Sequence, residues 1–301
     1  MLVTKAPDIE ISRCPAIALA SRPLRLYTGA MNHQRIIYYP VFPESHEPGS
    51  ERSDFVRHWV QDVLIPEGRA TWNEAEANAY LVATGDGGMM RAARNHCDSG
   101  KPLFGVNCGT LGFLMNQVRE VEHLPRNLDE LHTVTLTLMQ GEFHCRDGRV
   151  VRHLAFNDIF CGGNIADFVG FQIHGSLSHF RDRRVKGNGI FVSTPQGTTG
   201  FALNAQGSSA VLPLDTRAWY IGGVATGPYP SSVFSPQTVE IRCSSRRPVN
   251  GYADGYDQEV HDIERIVITP THHKVILAFR QDMDFEARRR ELAQQVELGL
   301  V

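Results

Sequence analysis

Two segments decide how this chain is read: Tyr80-Leu-Val-Ala-Thr-Gly-Asp-Gly-Gly-Met-Met90 and Phe104-Gly-Val-Asn-Cys-Gly-Thr-Leu-Gly-Phe-Leu114. Tyr80 to Ala83 has the apolar character of a buried strand, and Met89 to Asn95 has the composition of a helix. Gly85, Gly87 and Gly88 stand between them, where the lack of a Cβ lets backbone approach a ligand closely. The first N–H groups of the helix have no partner within it and favour an anion such as phosphate. Asp86 is the anomaly. A carboxylate beside a phosphate site is unfavourable unless it takes a proton or helps to hold a metal. Taken alone, Asp-Gly is also ordinary helix-cap or turn chemistry. The second segment shifts the balance, because Phe104 to Asn107 is another short strand that ends in a polar, glycine-rich turn at Asn107, Gly109, Thr110 and Gly112. Two successive strands then deliver glycine loops to one sheet edge, where open α/β sheets bind ligands.

Upstream, Arg35 to Phe42 reads as a strand, with Pro40 near its end. The loop Pro43 to Gly49 follows. Phe55, Val56, Trp59, Val60, Val63 and Leu64 recur at helical spacing, with Ser50 or Ser53 as the cap and Pro66 as the stop. Trp59 belongs to the core of this pattern. The order strand, helix, strand, loop, helix, strand predicts a parallel, Rossmann-like sheet in an N-terminal α/β domain. Residues 1–30 show weak periodicity broken by Pro7, Pro15 and Pro23, and no role is assigned to them.

From about Leu124 the periodicity changes. Thr133 to Met139 alternates strictly, Asp147-Gly148 is a hairpin signal, and Val150 to Cys161 resumes as strand. Short strands are expected at Phe168–His174, Ile190–Thr194, Trp219–Ile221, Val239–Cys243, Ile263–Ile268 and Val275–Phe279. This half reads as an antiparallel sandwich or irregular barrel. A polar helix, Asp284 to Val296, closes the chain, with Phe285, Leu292 and Val296 as a narrow apolar stripe.

Three stretches here are too polar for plain strands. Asn157-Asp158 interrupts the apolar run Leu154 to Phe160. Such a carboxylate either meets ligand hydroxyls or marks a bulge or Asx turn. Gly187-Asn188-Gly189 leads into Ile190 to Phe201, where Thr194, Thr198, Thr199 and Gly200 offer hydroxyls and N–H groups to an adenine edge, a ribose or a phosphate. The alternative is an N-capped helix. Asp254-Gly255, between Tyr252 and Tyr256, is most simply a hairpin turn.

With 30 basic and 33 acidic residues in 301 and no long basic block, nothing points to a nucleic-acid partner. Six scattered cysteines without a Cys-x-x-Cys pair fit reduced thiols in a cytoplasm. The thirteen histidines include His272-His273, yet no Cys/His cluster has zinc spacing, so no protein-built metal site is expected. No apolar run reaches membrane-spanning length, and the N-terminus lacks the pattern of a signal peptide.

Taken together and in this order, the motifs resemble those of the NAD kinase family from about Arg35 to the C-terminus. Thr84-Gly85-Asp86-Gly87 corresponds to the family's Gly-Gly-Asp-Gly loop, and Asn107 to Leu114 to its Asn-x-Gly-x-Leu-Gly-Phe-Leu segment. Asn157-Asp158 stands for the Asn-Glu pair. Gly187-Asn188-Gly189 with Thr194 to Phe201 stands for Gly-Asp-Gly and the following Thr-Pro-Thr-Gly-Ser-Thr-Ala-Tyr run, and Asp254-Gly255 for the late Asp-Gly. The resemblance implies an α/β domain over residues 1–124 and a β-rich dinucleotide-binding domain over 125–274, with residues 275–301 returning to the first. It also implies phosphorylation of the 2′-hydroxyl of the adenosine ribose of NAD by ATP or polyphosphate. A divalent cation, Mg2+ or another, would ride on the donor phosphates, and the chain would assemble as a homodimer or homotetramer.

On this reading Asp86 is the general base. Gly85, Gly87, Gly88, Asn107, Gly109 and Thr110 bind phosphate. Asn157, Asp158, Asn188, Thr194, Thr198, Thr199, Gly200 and Phe201 bind NAD. The chain departs from the family pattern at Thr84, Asp158, Asn188, Gln196 and Ser231, the last in the segment Pro230-Ser231-Ser232 where the family has Pro-His-Ser. Those departures keep open a weakly active or non-catalytic dinucleotide binder. A lipid kinase of the same superfamily is a further alternative, although it would not be expected to carry both Asn107 to Leu114 and Gly187 to Phe201.

Overall fold

The structure, a computed structural model, describes residues 34–43, 51–163, 168–175, 183–224, 231–255 and 258–301. The first thirty residues, the loop after Pro43, Pro230 and Tyr256 lie outside the described residues.

Among the described residues the first elements are β1 (Tyr38–Val41) and α1 (Glu51–His58), which runs on into a wider π-helical turn over Trp59–Leu64. Then come β2 (Ala79–Thr84), α2 (Asp86–Asn95) and β3 (Pro102–Asn107). β1, β2 and β3 pair in parallel, with Thr84 opposite Asn107 at their C-terminal ends. Every residue of β2 is buried, as expected for a parallel strand covered on both faces. Tyr80 and Val82 pack beneath α2 with Met89, Leu103 and Phe113. Leu81 and Ala83 face the other way, toward Val56, Trp59, Val60 and Leu64. The period-2 alternation of one strand thus sorts two helical layers. Phe55, read as part of the apolar face, is 54% exposed and lies edge-on to Trp59. The buried set Ser53, Val56, Trp59, Val60 and Leu64 defines the inner face and leaves Phe55 on the flank. Ser53 is no cap, since it lies within the helix and its hydroxyl donates to the Ala83 carbonyl at 3.0 Å.

The second half contributes β4 (Leu131–Cys145), β5 (Val150–Ala155), β6 (Asp158–Gly162), β7 (Val169–Gly175), β8 (Arg183–Gly187), β9 (Gly189–Ser193) and α3 (Phe201–Gln206). It continues with β10 (Trp219–Val224), β11 (Ser232–Phe234), β12 (Val239–Cys243), β13 (Asn250–Ala253), β14 (Glu259–Val260), β15 (Ile263–Arg280) and α4 (Phe285–Glu297). An antiparallel sheet ordered β11-β10-β9-β6-β13-β14 faces a second sheet over a core that includes Phe143, Ile159, Phe171, Val192, Trp219, Ile241 and Ile266. The expected class, an α/β part followed by a β-sandwich part, is the architecture found.

Two expected strands, Ile263–Ile268 and Val275–Phe279, are one. β15 runs through both parts, paired with β4 along its length, with register shifts between Ile263 and Arg265 and between Pro270 and Lys274. Its N-terminal half takes β12 as its other neighbour, and its C-terminal half takes β3, in parallel. The second shift, a bulge, is where the strand exchanges one neighbour for the other within a single sheet. Conversely, the run Val150 to Cys161 is two strands. The chain leaves one sheet after Ala155 and enters the other at Asp158. α4 covers the parallel sheet, with Phe285 stacked on Phe279 at 3.5 Å between centroids and Leu292 packed against the same core. Among the described residues no helix is long and apolar enough to cross a membrane.

Candidate active site

The two glycine loops meet backbone to backbone. A Cβ on Gly109 would lie 3.1 Å from the Gly85 Cα, so this approach requires small residues. Gly112 has φ +71°, and a Cβ there would strike the Asn107 side chain at 2.4 Å. Asn107 is buried and spends its side chain on its own loop: Oδ1 accepts from Gly109 N at 3.0 Å, and Nδ2 donates to the Leu111 carbonyl at 3.4 Å. It shapes the site rather than opening onto it. Gly87, Gly109 and Thr110 are exposed at the mouth. A Cβ on Gly87 would meet nothing within 4 Å, which leaves room in front of the first turn of α2.

Asp86 is the first residue of α2, and Gly85 is its cap. The carboxylate does not cap its own helix. Its Oδ2 accepts from Phe113 N at 3.0 Å and its Oδ1 from Leu114 N at 2.9 Å, so it clasps the second glycine loop. Burial pushes its pKa up. The N–H groups of Leu114, Phe113 and Gly112 and the charge of Arg288 oppose that shift. Each oxygen keeps a further lone pair. The arrangement is a desolvated carboxylate at a helix N-terminus, with its proton affinity raised toward that of a base.

The break between β5 and β6 is organised by Asp254, read from the sequence as a hairpin turn. It does sit in the connection between β13 and β14, with φ 56°, but its carboxylate is buried and gathers three consecutive N–H groups. Oδ1 accepts from Asn157 at 2.6 Å and Asp158 at 3.2 Å, and Oδ2 from Phe156 at 2.7 Å. Arg94, near the end of α2, donates to Oδ2 at 2.7 Å. The carbonyls of the break are satisfied from β9 onward. Thr194 Oγ1 reaches the carbonyls of Phe156 and Asn157 at 2.7 and 2.9 Å, and Gln196 Nε2 reaches that of Phe156 at 2.7 Å. The interruption at Asn157-Asp158 is therefore a crossover between sheets whose backbone groups are paired.

Thr194 and Thr198 are buried, and the hydroxyl of Thr198 donates to the Pro195 carbonyl at 2.6 Å. Thr198 serves its own turn, and Thr194 the β5–β6 break. Thr199 and Gly200 are half-buried, and Thr199 Oγ1 bonds the Gln196 carbonyl at 3.3 Å. Phe201 stacks on Phe160 with centroids 4.8 Å apart. Two polar groups keep hydrogen-bonding capacity to spare. Asn157 Oδ1 is buried with no hydrogen-bond partner. Asp158 is buried and receives the Phe201 N–H, and burial together with the charge of Asp254 pushes its pKa well up, favouring its neutral form. Asn188 is not brought to this end. Asp158 pairs with Ser193 while Gly162 pairs with Gly189, which puts Asn188 beyond the opposite end of the ladder, roughly 16 Å away at strand rise.

The two groups of residues converge on one turn of α4, an element read from the sequence only as a polar helix. Arg288 donates to the carbonyls of Met115 at 2.9 Å and Leu111 at 3.4 Å. Arg289 is wholly buried and donates to the carbonyls of Pro195 at 3.2 Å and Leu212 at 3.1 Å. Both guanidinium groups also act electrostatically on Asp86. Arg94, Arg288 and Arg289 escaped the sequence reading. The Asp254-Gly255 pair was visible, but nothing in its local pattern showed that it answers Arg94.

No family model matches the chain. Among curated proteins it is 29% identical over 210 residues to a protein named NAD kinase from Hyphomonas neptunium, covering 65% of this chain and 77% of that one. It is 29% identical over 225 residues to an NAD kinase from Xylella fastidiosa, covering 71% and 82%. Its fold is that of yeast NADH kinase complexed with NADH, with a TM-score of 0.63 and 16% identity over 86% of this chain and 87% of that one. An NAD kinase from Archaeoglobus fulgidus in complex with ATP gives a TM-score of 0.59 and 17% identity, covering 85% and 97%.

Proposed function

We propose that this chain, whose curated homologues are named NAD kinases, is itself an NAD kinase that phosphorylates the 2′-hydroxyl of the adenosine ribose of NAD. The observation that carries the reading is Asp86. It is a desolvated carboxylate with raised proton affinity at the junction of two glycine loops, beside the first-turn N–H groups of α2. A ribose hydroxyl is a poor nucleophile. As its oxygen bonds to the γ-phosphorus and ADP leaves, Asp86 takes the proton. The N–H groups ahead of the first helical bond, Met89 N to Gly85 O, face the donor phosphates and position them. Asn157 Oδ1 accepts from an adenine amine or a ribose hydroxyl, and neutral Asp158 offers a donor. A divalent cation fits this site as a passenger on the donor phosphates, because Asp86 already receives N–H groups on both oxygens and is a poor basis for a protein cage. When bound, such an ion neutralises phosphate charge.

Incubating the purified protein with NAD, Mg2+ and either ATP or polyphosphate is expected to give NADP. The apparent KM for the donor should be high, because Ser231 stands where the family has a histidine, and Ser231→His should lower it. If NAD binds but neither donor yields NADP, the chain is a dinucleotide binder without kinase activity.

A further inference from the structure

At the opposite end of α2 from Asp86, the chain turns through Cys97 and Asp98 and lies against the bulge of β15. Asp98 occupies left-handed backbone at φ 61°, uncommon for a residue with a side chain. It is held there by a reciprocal pair of bonds with Lys274: Asp98 N to the Lys274 carbonyl at 2.7 Å, and Lys274 N to Asp98 Oδ1 at 2.8 Å. The other carboxylate oxygen, Oδ2, lies 2.6 Å from His273 Nδ1. The half-buried Cys97 thiol completes the group, and ligating atoms of Cys97, Asp98 and His273 all fall within 4.8 Å of one another. His272 stacks beside His273 with centroids 4.5 Å apart.

We propose that Cys97, Asp98 and His273 bind a zinc-type divalent cation that pins the end of α2 to the β15 bulge. An ion pair between Asp98 and His273 explains only part of the arrangement, for a half-exposed pair is worth about 1 kcal/mol or less and makes no use of the thiol. One sulfur, one imidazole nitrogen and one carboxylate oxygen form a donor set suited to Zn2+ and unsuited to Mg2+ or Ca2+. A tetrahedral ion with bonds near 2.0–2.3 Å needs a nitrogen-to-oxygen separation of roughly 3.3 Å. His273 and Asp98 therefore open by less than an ångström, which exposed side chains allow. Water takes the fourth position. Binding displaces the thiol proton of Cys97 into solvent, and His273 ligates through the Nδ1 lone pair of its Nε2–H tautomer. The carboxylate is already oriented by Lys274, as ligating groups usually are by outer partners. The site lies at the far end of α2 from the reacting groups and does not depend on the proposed reaction.

The test is a titration of the full chain, reduced and stripped of metal, with Co2+ as the probe. One equivalent should give a thiolate-to-cobalt charge-transfer band, and Zn2+ should displace it. Cys97→Ser should abolish the band, and His273→Gln should weaken binding by more than about tenfold, the loss expected even for an outer partner. Wild-type protein that gives no thiolate band with excess Co2+ overturns the proposal. So does a band that survives Cys97→Ser, which would place the ion on another thiol.

Discussion

Asp86 accepts N–H groups on both carboxylate oxygens, an arrangement that ordinarily lowers a carboxyl pKa, yet its pKa is raised because burial outweighs those bonds. Asp158 is pushed further by burial and by Asp254, with only the Phe201 N–H opposing. The sign for stability follows. Between the unfolded pKa and the raised folded pKa the native state binds more protons, so stability is fullest below the unfolded value. It is lost as pH rises through the folded value. Asp158→Asn removes that ionisation while keeping the shape. The fall in Tm between pH 5 and pH 8 should therefore be smaller in Asp158→Asn than in wild type, and an unchanged fall would mean that Asp158 is not the titrating group. Asp158→Ala should also weaken NAD binding by roughly 1–3 kcal/mol, measured by calorimetry on folded protein.

At the scale of elements, α2 links the two parts of the molecule. Asp86 at its start holds the second glycine loop, and Arg94 near its end reaches the buried Asp254 across the sandwich edge. Asp254 bonds the three N–H groups that a broken strand leaves free, and Arg94 supplies the opposing charge. Arg94→Met strands that carboxylate, so urea unfolding should show a loss of about 3–5 kcal/mol. A loss under about 1 kcal/mol would mean that the N–H groups alone satisfy Asp254. Elements of this kind are only partly legible in sequence. The strand, glycine loop and helix at Tyr80 to Asn95 show in local composition because covered parallel strands are continuously apolar. The unity of β15 does not show, because Pro270 and the bulge break its pattern just where it changes neighbours.

Across the whole molecule, local patterns revealed which segments carry the site but not which side chains face it. Asn107, Thr194 and Thr198 looked like ligand contacts; Asn107 and Thr198 bond within their own turns, and Thr194 bonds the carbonyls of the β5–β6 break. Arg288 and Arg289 looked like surface charge on a polar helix and lie at the centre of the junction. Hydroxyls and amides close to their own backbone find partners locally, whereas a buried arginine is recognised only once its distant carbonyls are known. The account stands or falls on Asp86 acting as the proton acceptor in phosphoryl transfer to NAD. The direct measurement compares wild type and Asp86→Asn at saturating NAD, donor and Mg2+, following NADP formation together with NAD affinity and Tm. The account predicts a drop of about 100- to 10,000-fold in turnover with NAD affinity retained, and turnover equal to wild type would contradict it.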